Sequence, residues 1–371
     1  MNTRYDCLIA GGGPAGASAA ATLARLGRSV LLLEAKADGQ LQIGESLPPA
    51  ITPCLRQLSF LNVLESTGAQ PSLGNSSAWG EEELQYTDFI FNPHGHGWHI
   101  DRPRFNTALR TCARTAGAEI QTSVRVIELQ RTSDAWSATL QPIGASNVPQ
   151  SVTAKSLIDA TGRHCSLARL LGAQRRRDDS LIAYFARFTS PKLTRAPADC
   201  DSYTLIEAVA DGWWYTARVP PAGRMVAFLT DADLADPADL LTPEGFSKKL
   251  KATTHIRDRV HAHCYTLSGR PLGTDSGSSR LFPAFGENWI AAGDAAQSYD
   301  PLSSQGVISA LNAGSKAAQA LHEALRGSAD ALAAFDAEQA AHYDNYLEQK
   351  RGYYSMEYRW KQEQFWQRRH K

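Results

Sequence analysis

The chain has 371 residues, which is enough for two domains with large hydrophobic cores. Lysine plus arginine (38) balances aspartate plus glutamate (38), so no net field draws the protein to nucleic acid or to an anionic membrane. The six cysteines are dispersed, without a C-x-x-C pair or a metal-ligand spacing, and we interpret them as reduced thiols. From Met1 the chain shows neither a basic segment nor a long apolar run, which predicts a cytoplasmic location and no membrane partner.

The N-terminal region has the pattern of a βαβ unit. A buried strand is predicted over Asp6 to Ala10, a helix from about Pro14 to Leu26, and a second strand from Ser29 to Leu33 that ends at Glu34. The turn between the first strand and the helix is rich in glycine. This arrangement is typical of the first unit of a nucleotide-binding sheet.

The turn carries the spacing G-x-G-x-x-G, with glycines at positions 11, 13 and 16. Gly11 permits a tight turn, Gly13 lets the backbone approach a pyrophosphate, and Gly16 allows close packing of the helix. Glu34 stands where a carboxylate accepts hydrogen bonds from a ribose diol. Strand, helix and acid in this order predict nucleotide binding, with Pro14 and Ala15 at the start of the helix.

The later part of the chain alternates between two kinds of segment. Residues 75–98 are rich in Trp, Asn, Gly and His, and Leu181 to Leu229 alternates aromatic and polar residues as antiparallel strands do. Between and after them the α/β pattern returns, with a helix over Pro103 to Ala116 and strands over Ser156 to Ala160 and Trp289 to Ala292. A helix rich in small residues follows, from Gly306 to Leu325.

Two further stretches follow predicted strands. They are Asp159-Ala160-Thr161-Gly162 and Gly293-Asp294-Ala295-Ala296, the latter followed by Asp300-Pro301 and Ser303-Ser304-Gln305-Gly306. With these motifs the sequence resembles the FAD monooxygenases, which include aromatic hydroxylases, flavin-dependent halogenases and geranylgeranyl reductases. The resemblance implies an α/β fold, in which a Rossmann-type FAD-binding domain is interleaved with a mixed-sheet substrate domain and followed by a helical C-terminal tail.

The resemblance also implies the domain limits and a non-covalently bound FAD. The FAD-binding domain would comprise residues 1–74, 100–175 and 270–345, the substrate domain 75–99 and 176–269, and the tail 346–371. A helix N-terminus stabilises the negative charge of a reduced flavin near N1, and the helix from Gly306 would supply one. The implied cofactor-binding residues are Gly11, Gly13, Pro14, Ala15, Gly16, Glu34, Ser46, Arg102, Val126, Gly162, Gly293, Asp294, Pro301, Gln305 and Gly306.

A closer resemblance comes from four segments. Gly44 to Pro49 is similar to the G-E-S/A-x-x-P segment of the halogenase-like branch, in which Ser46 would lie along the flavin. Asn75 to Gly80, Gly97 to Arg102 and Asp211 to Pro220 resemble the maturases of glycine oxidase and lysine ε-oxidase. That subgroup implies a monooxygenase acting on a tryptophan side chain of a precursor amino-acid oxidase, which becomes a tryptophylquinone. NAD(P)H would be a transient reductant, because the chain has no second G-x-G-x-x-G unit.

The chain departs from the halogenases in one informative way. They need a lysine on the helix after the G-E-S segment to carry hypohalous acid, and this sequence has no lysine between Lys36 and Lys155. Neither Asn75 nor Ser76 can replace an ammonium in that role. The sequence therefore favours oxygenation over halogenation.

The catalytic residues stay open at this stage, with His99, Trp214 and Ser46 as candidates. His94, His96 and His99 lack carboxylate or cysteine neighbours, so no metal site is predicted. The basic and aromatic tail is either an interface for a protein substrate or a segment that packs on its own core. Two other functions remain: a hydroxylase of a free aromatic metabolite, and a non-catalytic chaperone or scaffold for the precursor.

Overall fold

The computed structural model describes residues 3–144, 148–190 and 199–370. Part of the predicted antiparallel region, 191–198, lies outside the described residues, as does Lys371 at the end of the tail. Within the described ranges no helix is long and apolar enough to cross a membrane.

The first large element is an eight-stranded sheet built around the N-terminal strand. Val30–Glu34 and its neighbours are buried on both faces, as expected for the centre of a parallel sheet covered by helices. In spatial order, six of the strands are Phe285–Gly286, Trp289–Ala291, Gln150–Asp159, Arg4–Ala10, Val30–Glu34 and Glu119–Thr122. The other two, Trp136–Pro142 and Val124–Arg131, form an antiparallel extension that starts from Gln150–Asp159.

Three helices, Pro14–Arg25, Arg102–Thr115 and Gly306–Ala324, contribute to the apolar cluster on one face of this sheet. The first and third approach closely because their contact is made of small residues. A Cβ added to Gly314 would lie 2.1 Å from the carbonyl oxygen of Ala15. The helix Ala331–Ser355 packs outside them through Leu332 and Phe335.

The second large element is a seven-stranded mixed sheet. Its strands in spatial order are Thr266–Asp275, Leu181–Thr189, Gly223–Asp231, Gly212–Val219, Tyr203–Val209, Gly74–Ala78 and Gln85–Asp88. The helices Pro243–Lys251 and His255–Ala262 cover one face. The predicted boundary between the substrate domain and the last part of the FAD-binding domain, at 269/270, falls inside the strand Thr266–Asp275. The domain limits stay a prediction.

Two small sheets join the large ones. One contains Ser46–Leu47, Gly97–His99 and Gln70–Ser72, and the other contains Gln174–Arg177, Ser279–Phe282 and Gln297–Ser298. The remaining helices are Ile51–Gln57, Asn62–Ser66, Ser166–Leu170, Pro237–Leu240 and Gln364–Gln367, with 3₁₀ turns at Gly162–His164, Gly293–Ala295 and Pro301–Ser303. The predicted fold class, two interleaved α/β and mixed-sheet parts with a helical C-terminus, is confirmed.

The tail folds back onto the seven-stranded sheet. Tyr354, Phe365 and Trp366 are buried beside Trp213, on the face opposite the covering helices. The Trp366 indole N–H donates to the Val209 carbonyl at 2.9 Å. The described part of the tail is therefore part of the core at these positions, and the alternative of an exposed aromatic interface is wrong for them.

Candidate functional site

The glycine-rich turn has the geometry that its spacing predicts. Gly11 has φ +101°, and a Cβ there would lie 2.1 Å from the Ala160 carbonyl oxygen. A Cβ on Gly16 would lie 1.8 Å from the Gly11 carbonyl oxygen. At Gly13, by contrast, an added Cβ meets no heavy atom within 4 Å. Gly11 and Gly16 are thus required by the turn itself, whereas Gly13 borders open space.

The helix that begins at Pro14 presents free amides to this space. Its N-cap, Gly13, makes no side-chain capping bond, so the first backbone N–H groups have no side-chain partner there. A helix N-terminus of this kind stabilises an anion such as a pyrophosphate. The arrangement therefore suits the phosphates of a dinucleotide.

Glu34 lies directly under the turn. Its carboxylate accepts hydrogen bonds from the Gly12 N–H at 2.8 Å and the Lys36 N–H at 2.7 Å. Because an ionised carboxylate has about four acceptor positions, capacity remains for a ribose hydroxyl. Arg110, which the sequence reasoning missed, donates to the Gly12 carbonyl at 3.0 Å and pairs with Asp38. Its position on the same helix as Arg102 was the available signal.

The second and third motifs meet the turn from other parts of the chain. Gly293 has φ +60°, and a Cβ there would lie 2.7 Å from the Ala15 side chain. Asp294 faces Arg163, with Oδ2 and Nε 3.7 Å apart. Asp159 is buried and accepts from the Thr161 N–H and the Ala168 N–H, at 2.9 and 2.8 Å. These bonds hold the backbone around Gly162, which has φ +65°.

Arg102 connects the G-E-S segment to the G-D motif. Its guanidinium donates to the Gly44 carbonyl at 3.3 Å and to the Asn106 side chain at 3.1 Å. Burial lowers the pKa of Arg102, and the negative charges of Asp294 and Glu45 oppose that shift. Three segments that are far apart in sequence therefore converge on one cationic side chain.

Pro301, Gln305 and Gly306 lie on the loop that leads into the helix Gly306–Ala324. That helix has no side-chain cap, so its first amides are also free. A depression opens beside the loop, lined by Asp300, Leu302, Ser303, Gln305, Tyr346, Gln349, Lys350 and Tyr353. The uncapped end has the polarity that an anionic reduced flavin requires.

Val126 lies in the antiparallel extension of the first sheet, opposite Leu140. It is half-buried and packs against the apolar cluster that contains Leu31 and Leu33. The strand that contains these leucines ends at Glu34.

Two of the three catalytic candidates lie together. Ser46 pairs with His99 across neighbouring strands, and both side chains contact the hydroxyl of Thr204, at 2.6 Å and 3.3 Å. His99 is completely buried and its Nδ1 has no hydrogen-bond partner among the described residues. Burial, followed by the charges of Arg224 and Arg218, lowers the pKa of His99 to about 3. The imidazole is therefore neutral at physiological pH.

The third candidate, Trp214, lies elsewhere. Trp213 and Tyr215 point to the face of the seven-stranded sheet that meets the tail, and Trp214 points to the opposite face. There it stacks on Phe228 with ring centroids 4.9 Å apart and contacts Phe246 edge-on. The structure thus places Trp214 in a core that is separated from Ser46 and His99 by the sheet.

Glu45 and Tyr215 form a buried pair that sequence reasoning missed. Glu45 accepts a hydrogen bond from the Gly44 N–H at 3.0 Å. Burial raises the pKa of Glu45 to about 7, against the opposing effects of this bond, of the nearby Tyr215 hydroxyl and of Arg102. Its place beside Ser46 in a predicted cofactor segment was the available signal.

The loop histidines lie in different surroundings. Within the described ranges no group of three or more His, Cys, Asp or Glu side chains is arranged to hold a metal ion. His96 instead packs against Trp98, with ring centroids 4.5 Å apart. The features near Gly13, Glu34 and Gly306 suit a dinucleotide with a pyrophosphate, an adenosine ribose and an anionic ring system.

Comparison with curated proteins finds relatives that match most of the chain. The chain is 28% identical over 368 residues to the putative FAD-dependent oxidoreductase LodB of Marinomonas mediterranea, covering 99% of this chain and 97% of that protein. It is 25% identical to the 1H-pyrrole-2-carbonyl-(peptidyl-carrier protein) chlorinase of Pseudomonas fluorescens, covering 87% and 77%.

Solved structures share the fold. A myxobacterial chondrochloren halogenase superimposes with a TM-score of 0.87 at 22% identity, covering 99% of this chain and 86% of that one. The peptidyl tryptophan dihydroxylase QhpG, essential for tryptophylquinone cofactor biogenesis, superimposes with a TM-score of 0.80 at 23% identity, covering 99% and 78%. The model of the FAD binding domain family matches residues 4–349. The chain therefore belongs to the FAD binding domain family and is an FAD-dependent oxidoreductase.

Proposed function

We propose that this protein is a monooxygenase that oxygenates a tryptophan side chain of a precursor amino-acid oxidase during tryptophylquinone biogenesis. The balanced reaction is Trp–H + O₂ + NAD(P)H + H⁺ → Trp–OH + H₂O + NAD(P)⁺. One oxygen atom enters the ring, the other leaves as water, and NAD(P)H is oxidised. A proton is consumed in each cycle.

The observation that carries the proposal is the composition of the site around Ser46, Thr204 and His99. These groups are two hydroxyls and a neutral imidazole, and no lysine occurs between Lys36 and Lys155. Without an ammonium to hold a halogenating oxidant, halide chemistry is disfavoured even though many relatives are halogenases. The likeness over nearly full length to LodB, which is named as an FAD-dependent oxidoreductase and not as a halogenase, supports oxygenation in place of halogenation.

The chain's own residues would bind and orient the reactants. The Gly13 turn and Glu34 would hold the adenosine diphosphate part of FAD. Arg102 would hold the G-E-S segment close to the G-D motif. Bound FAD supplies the electrons that activate oxygen. Ser46 and His99 lie on the substrate side, where the neutral imidazole holds the Thr204 hydroxyl without adding charge. Positioning of an electron-rich ring close to the oxidant is the main contribution expected of this site.

We also propose that the substrate is presented by a protein. The curated chlorinase acts on a group attached to a peptidyl-carrier protein, so a substrate presented by a protein is compatible with this fold. For this chain we propose a quinoprotein precursor as the partner.

The test is a turnover assay with purified enzyme, FAD, NADH or NADPH, and a co-expressed amino-acid oxidase precursor. We expect precursor-dependent NAD(P)H oxidation and a precursor heavier by whole oxygen atoms on a tryptophan, by peptide mass spectrometry. Efficient oxygenation of free indole or phenol with every precursor ignored would show a small-molecule hydroxylase instead. Precursor maturation without NAD(P)H consumption would show a scaffold. His99→Asn is the matched variant, expected to bind FAD and to lose oxygenation.

A further inference from the structure

Glu45 lies where the cofactor segments meet the substrate sheet. It is 1% exposed and stands between Gly44, whose carbonyl binds Arg102, and Ser46, whose hydroxyl binds Thr204. One carboxyl oxygen accepts from the Gly44 N–H, and the other, Oε1, is buried without a hydrogen-bond partner. An ionised carboxylate with an unpaired buried oxygen costs more free energy than the protonated acid does.

The groups facing Glu45 come from two other elements. Tyr215, on the strand Gly212–Val219, and Arg102, on the helix Arg102–Thr115, both lie close enough to Glu45 to lower its pKa. Asp294 in turn acts on Arg102. The carboxyl group is thus held between a phenol on the substrate side and a guanidinium on the cofactor side.

We propose that Glu45 is a buried acid that stores the proton consumed at the flavin site, and that Tyr215 is the positioning residue that sets its orientation and proton affinity. The proton-consuming reaction rests on the proposed function, but the acid itself does not. In each cycle Glu45 gives its proton to the oxygen atom that leaves as water and is then reprotonated from solvent, so its own charge is restored.

Burial and the Tyr215 hydroxyl act on the pKa of Glu45 in opposite directions. Burial has the larger effect and raises the pKa, whereas the Tyr215 hydroxyl lowers it. Removal of the hydroxyl should move the titration of Glu45 to higher pH. A residue that serves only to fill space would leave the titration unchanged.

The experiment is an infrared pH titration of the FAD-loaded and FAD-free protein, which follows the C=O band of a protonated buried carboxyl. We expect the band to disappear with a midpoint near pH 7, to be absent in Glu45→Gln, and to shift to higher pH in Tyr215→Phe. Tyr184→Phe, at a buried tyrosine on the opposite face of the same sheet, is the control and should leave the midpoint unchanged. A band that persists in Glu45→Gln, or an unshifted midpoint in Tyr215→Phe, would overturn the proposal.

A second measurement connects the acid to the cofactor. The midpoint potential of the bound flavin should change slope with pH where Glu45 titrates, and this change should vanish in Glu45→Gln. A slope that is identical in both proteins contradicts the proposal. If Glu45→Gln does not fold, the shift in Tyr215→Phe still decides. Neither measurement uses a precursor or NAD(P)H, so failure of the proposed function would leave this result intact.

Discussion

The two halves of the site are built in different ways. The glycine turn is made of backbone: a Cβ on Gly16 would lie 1.8 Å from the Gly11 carbonyl oxygen, and a Cβ on Gly11 would lie 2.1 Å from the Ala160 carbonyl oxygen. The substrate side is made of buried or half-buried side chains from separate elements, namely Ser46, His99, Thr204 and Tyr215. The glycine turn packs closely because side chains are missing, whereas the substrate side depends on the protonation of side chains that are present.

Replacement of Gly16 by valine should have the largest effect. The new side chain overlaps backbone atoms that cannot move without opening the turn, so we expect a loss of roughly 4 kcal/mol or more in unfolding free energy. Denaturant unfolding and the FAD content of the purified protein measure it. A folded, yellow Gly16→Val protein would contradict this prediction, because it would show that the turn accommodates a side chain at position 16.

The pH dependence of stability should be dominated by the substrate side of the site, through His99. The pKa of His99 is lowered to about 3, so the folded state stays unprotonated at this residue while the unfolded chain gains a proton below about pH 6.5. The contribution of His99 is present above the unfolded pKa and is lost as pH falls. Between pH 6.5 and 4 the stability difference between wild type and His99→Asn should shrink by about 3 kcal/mol.

Urea unfolding of the wild type and of His99→Asn at a series of pH values measures this difference. If the His99→Asn difference is constant with pH, the imidazole is not held neutral by its surroundings.

The sequence predicts the glycine turn but only part of the substrate side, for a physical reason. The spacing of Gly11, Gly13 and Gly16 dictates a local backbone path, and the strand and helix around it follow from hydrophobic periodicity. The contact of Ser46 with Thr204 joins positions 158 apart in the chain, and no local pattern encodes it. Glu45 was likewise invisible as an acid because its burial is a property of the assembled sheets.

The faces of the aromatic strand show the same limit. Alternation predicts that Trp214 points away from Trp213 and Tyr215, and the structure has this arrangement. Which face meets the flavin segments is decided by long-range packing of the small sheet and the tail. Periodicity therefore predicts the alternation but not the side on which chemistry occurs.

Cofactor affinity should separate Gly13 and Glu34 from the residues that only build the turn. Gly13 has φ −76° and ψ −170°, which alanine adopts without strain, and a Cβ there enters open space. Gly13→Ala should therefore keep its fold without cofactor and bind FAD roughly tenfold more weakly or worse, about 1.4 kcal/mol. Gly352→Ala, in a helix and also with open space, is the matched control.

Glu34→Ala should weaken FAD binding by about 1 to 3 kcal/mol, because a ribose hydroxyl and the Gly12 N–H lose a buried partner. Fluorescence titration of the cofactor-free protein with FAD gives the dissociation constants. An unchanged constant would remove Glu34 from the ribose site.

The smallest effect on the flavin should come from Trp214, and this separates the two faces of the substrate sheet. Trp214→Phe shrinks a side chain in a core closed by Phe228 and Phe246, so it should cost about 1 to 3 kcal/mol of stability and leave the flavin absorption spectrum unchanged. Trp213→Phe is the matched variant: its indole N–H donates to the Tyr354 hydroxyl at 3.0 Å, and that hydroxyl donates to Asp300 at 2.8 Å, beside the loop of Pro301 and Gln305. Loss of the first bond loosens a contact to this loop, so the spectrum should shift in Trp213→Phe only. A spectral shift of equal size in both variants would mean that the two faces communicate with the flavin alike, and Trp214 would return as a candidate for the chemistry.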